Sequence, residues 1–232
     1  NFLFTRTRDL ADGPRSSSQF HNVAQASGCA VSRDGKNEAS MGIACADFDG
    51  DGWPDIYVAN DGTMNFLYEN RRGSFSETGL QAGTRYNEDG RAEAGMGVDF
   101  GDYNNDGHQD LFVTNFAYET NTLYHNSGEG HFNDVATRVG LSEASYDPLG
   151  FGTKFLDYDN DNDADLYVSN YGANILYRND GDGHFADVGK AAGVDLAGWS
   201  TSATFADYDN DGDLDFYVAQ YLDFAPERAP PR

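Results

Sequence analysis

Four nine-residue stretches constrain this chain more than any other feature: Asp47-Phe-Asp-Gly-Asp-Gly-Trp-Pro-Asp55, Asp102-Tyr-Asn-Asn-Asp-Gly-His-Gln-Asp110, Asp157-Tyr-Asp-Asn-Asp-Asn-Asp-Ala-Asp165 and Asp207-Tyr-Asp-Asn-Asp-Gly-Asp-Leu-Asp215. Their starts lie 55, 55 and 50 residues apart, and a fixed period of that size signals a repeat architecture. Positions 1, 3, 5 and 9 are Asp in every copy except at Asn104. These sites carry much of the formal net charge of −24. A chain this acidic presents no basic face for nucleic acid or an anionic membrane. High net charge at low hydropathy also describes disordered chains. Against that, 14% of the 232 residues are aromatic, enough to build a core.

Side chains at alternate positions converge on one point only where the backbone curls tightly. Gly52, Gly107 and Gly212 at position 6 permit that curl, and Asn162 is the commonest kind of non-glycine substitute. The expected ligands are the side chains of Asp47, Asp49, Asp51 and Asp55; Asp102, Asn104, Asp106 and Asp110; Asp157, Asp159, Asp161 and Asp165; and Asp207, Asp209, Asp211 and Asp215. Backbone carbonyls at position 7, from Trp53, His108, Asp163 and Asp213, complete each set. Such a cage of hard oxygens suits Ca²⁺ at roughly 2.3–2.6 Å, and Mg²⁺ less well. Four calcium sites are therefore expected. An EF-hand is excluded, because its position 12 needs Glu and here holds Val58, Val113, Val168 and Val218. Each loop runs instead into a β-branched and aromatic strand, such as Asp55-Ile-Tyr-Val-Ala-Asn60.

Another short strand precedes each loop, at Gly42–Ala46, Gly97–Gly101, Gly152–Leu156 and Ser202–Ala206. A third follows at Asn65–Asn70, Asn121–Asn126 and Asn174–Asn179, and a fourth begins at Phe75, Phe132 or Phe185. No helical period is evident. Four short antiparallel strands per unit make an all-β chain of β-propeller blades. Residues 1–225 read as one repeat domain, and 226–232 as a Pro-rich tail or linker.

The stretches Ala46-Asp-Phe-Asp-Gly-Asp-Gly-Trp-Pro-Asp-Ile-Tyr-Val-Ala-Asn-Asp61, Ala94-Gly-Met-Gly-Val98 and Leu149-Gly-Phe-Gly-Thr153 resemble the FG-GAP/VCBS repeats of the cartilage-acidic-protein-like (ASPIC/UnbV) family. That family is in turn related to the integrin α-subunit propeller. The resemblance implies calcium-bearing blades in secreted or surface proteins and no established catalytic activity.

No zinc signature, phosphate-binding glycine loop or nucleophile elbow occurs, and the calcium loops account for the carboxylate pairs, so an enzyme, for instance one acting on polysaccharide, is disfavoured. His131 and His184 share one turn position and His108 lies in a metal loop, which makes them structural. Cys29 aligns with Leu80, Leu141 and Val194, and Cys45 with Phe100, Phe155 and Phe205. Both read as core positions, as two thiols or one disulfide. Variable segments between units nominate Arg33, Arg85, Tyr86, Arg91 and Tyr146 for contact with a protein or glycan partner. Trp53 and Trp199 could serve as sugar platforms but read better as packing residues. The location expected from calcium occupancy is extracellular, at a cell surface or periplasmic.

Finally, Asn1–Phe4 matches the third strand of a unit and Phe20–Ala24 the fourth, while Ser202–Ala206 and Phe216–Gln220 match the first and second. Unpaired edges are costly. Three outcomes follow: a blade completed within the chain, head-to-tail contact between chains that can build a surface filament, or missing strands beyond Arg232.

Overall fold

A computed structural model describes residues 1–7, 19–32 and 34–222; Arg33 and the tail at 226–232 lie outside the described residues. The chain opens with β1 (Phe4–Thr7), β2 (Gln19–Asn22) and the single helical turn α1 (Ala24–Ser27). The first complete unit follows as β3 (Ser40–Ala46), β4 (Asp55–Asn60), β5 (Phe66–Arg71), β6 (Ser74–Glu77) and α2 (Gly79–Ala82). The second comprises β7 (Gly95–Gly101), β8 (Asp110–Asn115), β9 (Thr122–Asn126), β10 (Phe132–Asp134) and α3 (Ser142–Ser145). The third comprises β11 (Leu149–Leu156), β12 (Asp165–Ala173), β13 (Ile175–Asn179), β14 (Phe185–Asp187) and α4 (Gly189–Ala192). A last pair, β15 (Ala197–Ala206) and β16 (Asp215–Gln220), completes the described chain.

Each unit is an antiparallel meander in sequence order, the arrangement of a propeller blade. Equivalent registers recur: Tyr57 faces Leu67, Phe112 faces Leu123 and Tyr167 faces Leu176. The third unit extends to six strands because the end of β12 also pairs with the start of β15, Tyr171 opposite Trp199. The single-turn helices are not expected from the sequence for a simple reason: four residues are too few to show a 3.6-residue period.

The core lies between sheets. Tyr57, Ala59 and Leu67 of the first unit pack on Leu111, Val113 and Phe132 of the second, and Phe112 and Leu123 of the second pack on Leu166, Val168 and Phe185 of the third. The first strands of successive units approach closely at glycines. A Cβ on Gly97 would lie 2.0 Å from the Phe151 carbonyl oxygen, and one on Gly152 2.7 Å from that of Thr201.

Two expectations change. Cys45 is exposed, whereas its counterparts Phe100 and Phe155 are half-buried under neighbouring sheets. Cys29 is buried, as expected, and both thiols are free. By hydrogen bonding its counterpart in the first unit is Thr84 and not Leu80. The N–H of Cys29 donates to Ala24, that of Thr84 to Gly79, that of Leu141 to Ala136 and that of Val194 to Gly189. The second change concerns the incomplete strands. β1 and β2 form a two-stranded sheet of their own, and β16 has β15 as its only strand partner among the described residues. Among the described residues, β1 and β2 do not pair with β15 and β16.

Candidate metal centre

Local chemistry builds each loop. Left-handed backbone occurs twice per copy: at position 4 (Gly50, φ 72°; Asn105, 57°; Asn160, 61°; Asn210, 60°) and at position 6 (Gly52, 89°; Gly107, 86°; Asn162, 71°; Gly212, 99°). Gly and Asn are the residues that tolerate it. The position-6 N–H then donates back to the first carboxylate, over 2.8 Å to Asp47, 2.8 Å to Asp102, 3.0 Å to Asp157 and 3.1 Å to Asp207. The position-5 carboxylate accepts from the N–H of position 7, that is from Trp53, His108, Asp163 and Asp213.

Position 9 does more than line the loop. Asp55, Asp110, Asp165 and Asp215 accept from the N–H at position 2 (Phe48, Tyr103, Tyr158 and Tyr208). The first three also accept from the third strand, from the N–H of Asn70, Asn126 and Asn179 at 2.7, 2.7 and 2.8 Å. They are wholly buried. Burial pushes each of these three carboxyls up to about 6, against the opposing pull of the N–H donors.

Carboxylates at positions 1, 3 and 9 come together in three copies: Asp47, Asp49 and Asp55; Asp157, Asp159 and Asp165; Asp207, Asp209 and Asp215, each set with one oxygen per residue within 4.8 Å of the others. Asp51, Asp106, Asp161 and Asp211 at position 5 stand outside these trios. In the second copy Asn104 replaces one carboxylate and donates to Asp106, while His125 Nδ1 lies 3.1 Å from Asp110 Oδ1. In the first copy the Asp51 N–H bonds Asp49, and Asp47 Oδ1 is buried without any hydrogen-bond partner. A buried carboxylate oxygen left without a donor is costly, and a cation would satisfy it. All of these donors are hard oxygens, so the residues fit a Ca²⁺-type ion.

Of the nominated contact residues, Arg85 is committed to an ion pair with Glu77 and is largely buried. The Tyr86 carbonyl accepts from Tyr124 Oη at 3.1 Å. Arg91 is exposed at a turn closed by its own N–H to Asn87. Tyr146 is exposed and borders an open cleft of about 560 Å³ with Thr120, Thr137, Ser142 and Glu143. Its ring meets Tyr118 edge to face at 6.0 Å. Tyr118, unremarked in the sequence, is exposed and holds φ at 69°, fixed by its N–H to the Tyr146 carbonyl at 2.7 Å. Trp199 is ringed by Phe151, Tyr171 and Tyr221, a packing role, whereas Trp53 stays partly exposed on its loop. His108 packs over Gly128, and His131 Nδ1 approaches the Glu129 carbonyl within its turn.

The role of the asparagines ending the third strands of the second and third units also escaped the sequence reading. Asn126 Nδ2 donates to Phe48 O at 2.8 Å and Asn179 Nδ2 to Tyr103 O at 2.6 Å, each tying one unit's third strand to the preceding unit's metal loop. Their recurrence at one repeat position was the available signal.

No curated protein matches the chain. Among solved structures, a lectin of Agrocybe aegerita that specifically recognises non-reducing terminal N-acetylglucosamine is similar at 20% identity and a TM-score of 0.44, over 78% of this chain and 46% of that one. The chain thus spans less than half the length of that lectin. The FG-GAP-like repeat model matches at residues 47–113, 102–168 and 157–218, each match running from one acidic loop into the second strand of the next unit. Those three overlapping matches span most of the described sequence, and the chain belongs to the FG-GAP-like repeat family.

Proposed function

We propose that the chain is a calcium-stabilised, extracellular β-propeller module of the ASPIC/UnbV type that binds a protein or glycan and performs no chemistry on it. The metal loops serve as the scaffold: they pin the second strand of each unit to its third through position 9. Binding falls to loops that a rigid scaffold can present, the turn between β8 and β9 and the segment between the second and third units.

The observation that carries this reading is the Tyr118–Tyr146 pair. A bulky residue at positive φ is uncommon and costs on the order of 1–3 kcal/mol. Here the cost goes into standing an aromatic ring beside a second one on an open, polar-lipped cleft. Two amphipathic rings at fixed geometry suit the apolar face of a sugar or a peptide side chain. The testing experiment is a glycan array together with a protein pull-down, using the calcium-loaded protein and its Tyr118→Ala and Tyr146→Ala variants. A ligand lost at least tenfold in both variants, with an unchanged melting temperature, supports the site. A ligand held equally by all three proteins removes it.

A further inference from the structure

A repeat supplies its own control: what the scaffold needs recurs in every unit, and an element found in one unit alone answers to something else. The N–H of Leu141 donates to Ala136 O as that of Thr84 does to Gly79 O and that of Val194 to Gly189 O. Residues 136–139 are thus the counterpart of α2 and α4, and α3 is an addition to the second unit. The turn between second and third strands is also longest there. Five residues separate Asn115 from Asn121, against four between Asn60 and Asn65 and three between Asn170 and Asn174.

These two departures meet. The Asn121 N–H donates to the Ser145 hydroxyl of α3 at 3.0 Å, where Asn65 and Asn174 donate to the backbone carbonyls of Arg85 and Leu196. The Tyr118 N–H donates to Tyr146 O. Together they hold out two rings. The first unit's turn, Asp61–Met64, has no aromatic residue, and in the third the ring of Tyr171 packs on Trp199. Tyr118 is 72% exposed and Tyr146 49%, with their planes 66° apart. The packing of sheet on sheet uses neither ring.

Charge around the pair is one-sided. Glu143 stands three residues before Tyr146, lines the same cleft, and makes no ion pair among the described residues. Asp147 follows, also exposed. No Lys or Arg is among the described residues lining the cleft, and Arg138, next to Thr137 in sequence, is drawn to Tyr103 instead.

We infer that this cleft takes a cationic side chain, a lysine ammonium or an arginine guanidinium, from an extended basic segment of a partner protein. The inference rests on the binding role proposed above and names the chemistry of its ligand. The electronegative faces of Tyr118 and Tyr146 attract a cation, Glu143 pairs with it, and a net charge of −24 steers basic partners to the surface. An anionic ligand meets the same field as repulsion. A neutral sugar can stack on the rings and donate to Glu143, yet it gains nothing from the field. At about 560 Å³ the cleft is larger than one side chain, which leaves room for the partner's backbone on either side.

The test uses the calcium-loaded protein and three probes: a blocked Gly-Gly-Lys-Gly-Gly peptide, the same peptide with norleucine for lysine, and a neutral methyl hexopyranoside. Binding is read from the ring resonances of Tyr118 and Tyr146 at about 0.15 M salt, where diffuse attraction to the acidic loops is screened. The lysine peptide should shift both rings saturably, and the norleucine peptide, with the same stem and no charge, should bind at least about threefold more weakly. Glu143→Gln and Tyr146→Leu should each weaken the lysine peptide by about threefold or more, while Tyr146→Phe keeps it. Both positions are exposed, so melting temperatures should match the parent. Equal binding of the lysine and norleucine peptides, or undiminished binding by Glu143→Gln, overturns the cation. A lysine peptide that leaves both rings unshifted overturns it too. The sugar shifting the rings in place of the lysine peptide overturns the cationic class and leaves the binding role intact. That role fails on its own test, a ligand retained by Tyr118→Ala and Tyr146→Ala.

Discussion

Asp165 and Asp159 belong to the same carboxylate trio, but the fold asks different things of them. Asp159 at position 3 is exposed, and desolvation first, then the neighbouring charges of Asp161 and Asp157, push its carboxyl above the usual range. On the proposed calcium reading, its contribution comes through a bound cation. Asp165 is buried and accepts two backbone N–H groups from Tyr158 and Asn179. Removing it leaves both donors without their acceptor, at roughly 1–3 kcal/mol each. In excess chelator, Asp165→Ala should therefore destabilise by about 2–6 kcal/mol in urea titration, and Asp159→Ala by almost nothing. In calcium both should destabilise. Equal effects of the two variants under chelation would reduce position 9 to a mere ligand. The ligand pattern was legible in the sequence because alternate carboxylates have few other uses. The latch was not, since it needs the third strand's register, which spacing alone leaves open. Position 4 was half-legible: Gly50, Asn105, Asn160 and Asn210 are the residues that accept left-handed backbone, a signal as plain as position 6.

At the scale of elements, the strands were readable because alternating burial and β-branched runs are local properties. The second strand of every unit begins at its position-9 Asp, at Asp55, Asp110, Asp165 and Asp215. What strands do to one another was harder to read. Gly97 looks like a flexible residue in sequence, but its φ is ordinary and its requirement is space, since its Cβ would meet the Phe151 carbonyl. That oxygen already accepts from the Thr114 hydroxyl of β8 at 2.6 Å and so cannot step aside cheaply. Gly97→Ala should cost about 1–3 kcal/mol, as overpacked sites do, read as a lower urea midpoint at unchanged slope. Gly62, with open space around it, lies at φ 65° and would suffer from backbone strain instead, which makes it a poor control. Gly35→Ala carries the same objection at φ 74°. The better control is Ser76→Ala on β6, an exposed site, where little should change. If Gly97→Ala is equally silent, the close approach of first strands does not hold the units together.

At the scale of the whole molecule the question is what balances a net charge of −24. Fifteen aspartates at loop positions 1, 3, 5 and 9 crowd into four short stretches, so repulsion acts against the compact state whenever no cation is held. Two remedies are physically distinct. Salt screens charges beyond a Debye length of about 8 Å at physiological ionic strength, while an ion held by a trio acts at contact and only in the folded protein. At a thousandfold excess over its dissociation constant, one such site adds about 4 kcal/mol. The expected result is a steep fall in melting temperature in excess chelator. Raising sodium chloride should recover part of it, magnesium a little more, and calcium all of it. The three carboxylate trios should account for most of the recovery, because the second loop has Asn104 in place of a carboxylate and His125 against Asp110. Asn104→Asp should consequently add calcium-dependent stability without changing the chelated melt upward. Calorimetry at matched ionic strength separates the two remedies: if sodium chloride alone restores the full melting temperature, the loops are merely acidic turns, and screening rather than coordination sustains the fold.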